Sequence, residues 1–308
     1  MTNLKNVSAS VRQRLLNRSR SDRRPFNELL QYYAMERFLY RLSRSSQADR
    51  FVLKGALMLR VWGSPESRPT MDIDMLGMTS NQEADIIARV KDILKVDVEE
   101  DGLVFDPDSI QSERIAEDAD YEGIRIRFQC KLDSAQIRMQ IDVGFGDVVY
   151  PGAEKAIFPT LLDFPAPSLL CYSRESAIAE KIETAIKLGA INSRMKDFYD
   201  IWLLSRQFDF DGILLAEAIS QTLGRRGTAP PPLIDAFTDA FISVKQTQWE
   251  AFRRRLGDDR IPDSFEEIVF QADAFLSPVL AALFSGKPTP AKWTAPFGWT
   301  INANPAFE

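Results

Sequence analysis

Asp72 and Asp74 stand one residue apart in the run Thr70-Met71-Asp72-Ile73-Asp74-Met75, seventeen positions after the glycine of Phe51-Val52-Leu53-Lys54-Gly55-Ala56. In a strand over 70–76 side chains alternate between faces, so both carboxylates point one way while Ile73 and Met75 enter a core. Two hard oxygen donors sharing a cleft suit Mg²⁺ or Mn²⁺, which combine protein carboxylates with substrate phosphates. An Asp-x-Asp triplet alone is weak, because most such pairs are solvated turn or strand residues. A second segment strengthens it: Ile137, Met139, Ile141 and Val143 alternate with Gln136, Arg138, Gln140 and Asp142, the pattern of a half-buried strand with Asp142 on its polar face. Laid beside 70–76, that strand brings three acids together. Taken alone, Asp142 reads as an ordinary polar residue at a strand end, before the turn at Gly144-Phe145-Gly146-Asp147.

The 308 residues include no histidine and two cysteines, Cys130 and Cys171. Serine–histidine triads, histidine bases and histidine-ligated zinc are excluded, leaving carboxylates, lysines and a hard metal as the available chemistry. Phosphoryl or nucleotidyl transfer fits that inventory. Glycoside hydrolysis by paired carboxylates fits the residue types too, but no aromatic-rich stretch marks a sugar cleft. Cys130 falls on the apolar face of Ile124, Ile126 and Phe128, and both thiols read as core residues in a reducing compartment. No stretch approaches roughly eighteen unbroken apolar residues. Met1 to Val7 lacks the apolar core of a secretory signal, so the expectation is a cytoplasmic protein without a membrane span.

Net charge is −6 and unevenly spread: residues 1–60 hold thirteen Lys or Arg against four acids, leaving them at +9 and the remainder at −15. A basic arm on an acidic body suits a protein that meets phosphates on one face. Equally, arginine is a good helix former on a solvated helix. Between 97 and 122, Glu99, Glu100, Asp101, Asp106, Asp108, Glu117, Asp118 and Asp120 read as an acidic, exposed connection, a soluble edge or a face for a basic partner protein.

Periodicity predicts helices at 7–19, 25–45, 56–62 and 82–94, and strands at 51–54, 70–76, 103–106, 110–116, 122–131 and 135–143, with a loop at 63–69 and a hairpin near Leu132-Asp133-Ser134. Residues 27–33 read as a packing surface. Mixed strands, antiparallel hairpins and covering helices indicate an α+β core. The proline-bearing run Pro151 to Pro167 reads as the connection to a mainly helical second half, giving domains 1–150 and 151–308. There, helix 174–189 buries Ile178, Ile182, Ala185 and Ile186 with Lys181 at the border. Helix 194–206 buries Phe198, Ile201 and Trp202, with Lys196 and Asp200 spaced for a salt bridge and Asp197 and Asp200 sharing a face.

Three separated blocks carry a further signal: Ala48-Asp49-Arg50-Phe51-Val52-Leu53-Lys54-Gly55-Ala56 with Arg68-x-Thr70-x-Asp72-Ile73-Asp74; Gln140-Ile141-Asp142-Val143-Gly144; and Ala179-Glu180-Lys181-Ile182 with Arg194-Met195-Lys196-Asp197-Phe198-Tyr199-Asp200. In order and spacing they resemble the AbiEii/AbiGii-like toxin nucleotidyltransferases of bacterial type IV toxin–antitoxin systems, a branch of the polymerase-β-like nucleotidyltransferase superfamily. The resemblance implies a polymerase-β-like core in which Asp72, Asp74 and Asp142 hold Mg²⁺ or Mn²⁺ on a nucleoside triphosphate (NTP), Asp142 sharing a second metal or deprotonating the acceptor. It implies that Lys181 is the phosphate-binding lysine and that Lys196, Asp197 and Asp200 border the cleft, Asp197 placing a lysine or the acceptor. Lys54, Gly55, Ala56, Arg68 and Thr70 would flank the nucleotide, Arg68 through its planar donor fork. The wider superfamily has Gly-Ser where this chain has Gly55-Ala56, which would leave phosphate contact to backbone N–H groups at the start of the next helix. By the same resemblance the acceptor is RNA, a tRNA 3′ end, and the cellular consequence is growth inhibition neutralised by a cognate antitoxin. Two other readings share these residues: an enzyme that nucleotidylates protein, and a non-catalytic regulatory protein on a decayed scaffold, hinted at by Ala56.

Overall fold

The alternation of apolar and polar residues over 121–145 builds the centre of the larger sheet. A computed structural model describes residues 6–64, 68–118, 121–229, 231 and 234–300. Met1 to Lys5, Pro65 and Asp120 lie outside the described residues, as do the side chains of Glu117 and Asp118. The chain divides into two compact units, 1–146 with 153–172, and 147–152 with 173–308.

In chain order the first unit contains α1 (Val7–Asp22), α2 (Phe26–Arg44), β1 (Phe51–Lys54), α3 (Met58–Val61), β2 (Ile73–Gly77), α4 (Glu83–Leu94), β3 (Leu103–Asp118), β4 (Tyr121–Leu132), β5 (Ala135–Phe145), β6 (Glu154–Ile157) and β7 (Ser168–Cys171). The strands form one mixed sheet in the order β3-β4-β5-β2-β1-β7-β6. The β2/β5 and β1/β7 pairs are parallel and the others antiparallel. The architecture is α+β, as the mixed pattern indicates. Ile124, Ile126, Phe128 and Cys130 of β4 and Ile137, Met139, Ile141 and Val143 of β5 are buried on one face, over which α1, α2 and α4 pack. The β4/β5 hairpin turns at Asp133-Ser134, with Asp133 at φ 54°, a left-handed position that aspartate tolerates.

Three expectations change. The strands predicted at 103–106 and 110–116 are one strand, β3, whose register slips between Asp106 and Gln111. Pro107 has no N–H for the ladder, and Gln129 N–H donates instead to Ser109 Oγ at 2.8 Å. The run 151–167 is not merely a connection, because β6 and β7 return to the first sheet. The basic N-terminal segment is only in part a surface feature, with Arg12, Arg18, Arg20 and Arg23 exposed. Arg37 and Arg41 are buried within α2, Arg41 forking onto Asp101 at 2.6 and 3.2 Å, so Asp101 is a buried partner and not part of an exposed acidic connection.

The second unit contains α5 (Arg174–Leu188), α6 (Met195–Gln207), β8 (Phe210–Asp211), α7 (Gly212–Arg226), α8 (Asp239–Leu256), α9 (Phe265–Ser285), β9 (Lys292–Thr294) and β10 (Gly298–Thr300), the three strands forming a small sheet. Ser173, Asp211, Thr238 and Ser264 cap α5, α7, α8 and α9 through their side chains, which satisfies otherwise unpaired helix N–H groups. Phe198, Phe241, Trp249 and Phe265 pack ring against ring at the centre. By length and composition α9 could cross a membrane, yet Phe265, Ile268, Val269, Ala272, Phe275, Leu276, Val279 and Leu280 are buried within the unit, where α9 packs on α6, α7 and α8.

Glu36, on the buried length of α2, accepts from the Leu161 N–H at 2.6 Å and lies 3.1 Å from Arg37. Burial pushes its carboxyl up from 4.5 to about 7, against the opposing pull of Arg37. Because the folded value is the higher one, its stabilising contribution is complete below pH 4.5 and is lost as pH rises through about 7, a change of about 3 kcal/mol at most. Urea unfolding at about pH 5 and about pH 8 should show the parent losing stability relative to Glu36→Gln over that window.

Candidate active site

Parallel pairing of β2 with β5 sets the register Ile73↔Ile141, Asp74↔Asp142 and Met75↔Val143. Asp74 and Asp142 are therefore neighbours on the same face, and Asp72 precedes the strand with its side chain on that side. One carboxylate oxygen from each of Asp72, Asp74 and Asp142 lies within 4.8 Å of the others, and all three residues are half-buried. Ile73 and Met75 point into the core at 0% and 2% exposure, as the alternation requires. Three hard, anionic oxygen donors at this spacing fit a divalent cation.

Gly55 has a role that no other residue can fill. It has φ 70°, and a Cβ built on it would lie 2.0 Å from Asp74 Oδ2, so the Asp74 carboxylate crosses the space that any side chain would occupy. Lys54 is in register opposite Asp74 on β1, and its ammonium lies 5.4 Å from the Tyr172 ring centroid. Ala56 is buried. The predicted helix after Gly55 begins as a 3-10 turn, Gly55–Leu57, followed by the single turn of α3. Thr70 is buried and its hydroxyl donates to Asp72 Oδ1 at 2.5 Å. Arg68 is half-buried.

Side chains that sequence reasoning did not single out also hold this site. Tyr32 Oη accepts the Thr70 N–H at 3.0 Å, and Gln31 Nε2 donates to the carbonyls of Met71 and Arg138, both at 3.1 Å. Residues 27–33 do form a packing surface, but these two polar groups also tie α2 to both carboxylate-bearing segments. Arg125 on β4 grips Asp142 with both arms, Nε to Oδ1 at 2.8 Å and a terminal nitrogen to Oδ2 at 2.7 Å. The alternation of β4 with β5 could have placed Arg125 on the polar face, but not its pairing with Asp142.

The other predicted residues belong to the second unit. Lys181 on α5 is held between two acids of α6, Asp197 Oδ1 at 3.1 Å and Asp200 Oδ2 at 2.8 Å. Arg194 Nε binds the second Asp197 oxygen at 2.7 Å. Burial raises the Asp197 carboxyl, but Lys181, Arg194 and Lys196 outweigh it and hold the group below the usual carboxylate range. Lys196 is exposed. The spacing of Lys196 and Asp200 suggested an ion pair, but Asp200 faces inward at 2% exposure and pairs with Lys181 instead.

The family described as "Nucleotidyl transferase AbiEii toxin, Type IV TA system" matches residues 37–271. The chain belongs to this family. It is thus a nucleotidyltransferase of a toxin–antitoxin family, with a nucleotide substrate and an antitoxin partner implied by that membership. A comparison with curated protein sequences finds no match. Among solved structures, the chain is similar to a provisionally assigned nucleotidyltransferase from H. pylori at 14% identity and TM-score 0.46, covering 82% of this chain and 94% of that one. It is also similar to JHP933 from Helicobacter pylori at 14% identity and TM-score 0.43, covering 81% and 90% respectively.

The Gly55 geometry gives a direct test on the AbiEii-family chain. Gly55→Ala must displace the Asp74 carboxylate and strain a left-handed backbone, which should cost about 2 kcal/mol or more. Denaturant unfolding should register that loss, and titration with Mn²⁺ should show weaker binding.

Proposed function

We propose that the chain transfers a nucleoside monophosphate from an NTP to an RNA acceptor, a tRNA 3′ end, and so acts as the toxin of a type IV toxin–antitoxin pair. The observation that carries this reading is the convergence of Asp72, Asp74 and Asp142 within 4.8 Å in a member of a nucleotidyltransferase family. An acceptor hydroxyl oxygen forms a bond to the α-phosphorus, the bond from that phosphorus to the α–β bridging oxygen breaks, pyrophosphate departs, and the hydroxyl proton leaves to Asp142 or to water. A divalent cation on Asp72 and Asp74, Mg²⁺ or Mn²⁺, supplies charge neutralisation at the triphosphate and leaving group when bound. Lys181 takes the phosphate-binding role, with Asp197 and Asp200 fixing its ammonium in place. Lys54, Gly55, Ala56, Arg68, Thr70 and Lys196 are assigned to the nucleotide and its surroundings. The RNA acceptor follows from the family resemblance and not from a feature of the fold.

Incubation with each α-labelled NTP, together with total RNA and separately with a protein fraction, should place label in RNA. Asp74→Asn and Lys181→Ala should each lower that incorporation by about a hundredfold or more. Label in the protein fraction alone would favour protein nucleotidylation. Undiminished toxicity on expression of Asp72→Ala and Asp74→Ala variants would favour a non-catalytic regulator.

A further inference from the structure

The polar face of the larger sheet has an order of its own. The β4/β5 register sets Arg125 opposite Asp142, then Arg127 opposite Gln140, Gln129 opposite Arg138 and Lys131 opposite Gln136. Residues directly opposite share a face, and the alternate residues Ile124, Ile126, Phe128 and Cys130 are buried on the other. Leading away from Asp142, the polar face is therefore a ladder of three rungs, each made of one cation and one carboxamide and none holding an acid. Arg127 Nε donates to Gln140 Oε1 at 3.2 Å and Gln140 Nε2 to Asp142 Oδ2 at 3.4 Å, so the first rung adjoins the three carboxylates. Lys131, Gln136 and Arg138 are exposed, and among the described residues the side chains of Lys131 and Arg138 form no ion pair. Acids return on β3, where Glu113 stands opposite Arg125 and Asp106 opposite Gln129. Glu113 also binds Arg127, at 2.9 Å. Both acids are exposed, and they repel a polyanion from β3 while leaving it the rows of β4 and β5.

Successive rungs, two residues apart along a strand, are separated by about 6.8 Å, close to the distance between neighbouring phosphates of an extended polynucleotide. The two rows lie about 4.8 Å apart, one phosphodiester backbone wide. The carboxamides donate to phosphate oxygens without adding negative charge, and no aromatic side chain stands on the rungs, so the ladder suits a sugar-phosphate backbone and not stacked bases. Beside two of the rungs opens a cavity of about 340 Å³, lined by Asn27, Gln31, Met71, Gln136 and Arg138 among others, with Met71 52% exposed. It has room for a base splayed from a single strand, which a paired base could not reach. We propose that this face of β4 and β5 is the track for an unpaired 3′ segment of the acceptor RNA, with Arg127, Arg138 and Lys131 on successive phosphates and the terminal hydroxyl delivered to Asp72, Asp74 and Asp142. This inference rests on the RNA-acceptor reading and adds to it the residues that hold the strand and the requirement that the strand be unpaired.

The test is binding of a short fluorescein-labelled single-stranded RNA to the full chain, without NTP or metal, followed by anisotropy across a range of KCl concentrations. Lys131→Gln and Arg138→Gln should each weaken binding about threefold or more and flatten the slope of log Kd against log salt by about 0.7, and the double variant should do both further. Arg138→Lys keeps the charge and should keep the parent's slope. Arg20→Gln, on the exposed face of α1, should change neither quantity. Annealing the RNA to its complement should weaken binding about tenfold. In the label-transfer assay the Lys131→Gln/Arg138→Gln variant should raise KM for RNA and leave KM for the NTP unchanged. Parent-like affinity and slope in that double variant overturn the inference, as does a duplex bound as tightly as the single strand or an equal loss in Arg20→Gln. If the double variant labels RNA with the parent's KM, the track falls while the transferase reading stands; if the parent binds no RNA and labels protein alone, the acceptor reading falls and the track with it.

Discussion

Three carboxylates with oxygens inside 4.8 Å of one another repel, and the first unit is organised around holding them together. At about 5 Å each like pair costs about 3 kcal/mol with an effective dielectric near 20. Several contacts oppose that cost. Arg125 places a positive charge on Asp142, Thr70 donates to Asp72, and Lys54 sits across the ladder from Asp74. Gly55 contributes by lacking a side chain, leaving the Asp74 carboxylate a place that a Cβ would fill. The backbone beneath is equally fixed, since Ile73, Met75, Ile141 and Val143 are buried on the other face, and a one-residue slip of either strand would turn acids inward.

Buried charge elsewhere follows the same rule of pairing before burial. In the second unit Arg226 gathers Asp147 at 3.0 Å, Glu183 at 2.7 Å and Glu180 at 3.7 Å. Burial alone would lower the Arg226 basicity, but the surrounding acids reverse the direction and raise it. The hub ties the end of α7 and the segment around Asp147 to α5, the helix that also carries Lys181. That lysine is correspondingly anchored. Two acids, Asp197 and Asp200, hold its ammonium in position.

Helix α2 shows why composition misleads when read linearly. Its arginines contribute to the apparent basic arm, yet Arg37 and Arg41 face inward, where Arg37 meets Glu36 and the Pro165 carbonyl and Arg41 meets Asp101. The same helix donates from Gln31 to both carboxylate-bearing segments. A helix buried around nearly its whole circumference needs partners for every polar group it carries, and a count of charges cannot see them.

Local pattern determined a good deal by itself: the alternation that makes β4 and β5, the period of α2, α4, α5 and α6, the turn at Asp133-Ser134, the α+β class, and the placing of Asp72 and Asp74 on one face. Those features depend on neighbours in the chain, which a sequence displays directly. The pairing of Asp74 with Asp142 was legible only as a condition, because it needs β2 and β5, some seventy residues apart, to lie side by side. What only tertiary structure decided is which charge meets which: Arg125 on Asp142, Lys181 between Asp197 and Asp200 instead of Lys196, Tyr32 behind Thr70, and β6 and β7 returning to the first sheet. Charged side chains are long and their pairing is chosen by burial and register across distant segments, so residue type and spacing leave several partners equally available until the chain has folded.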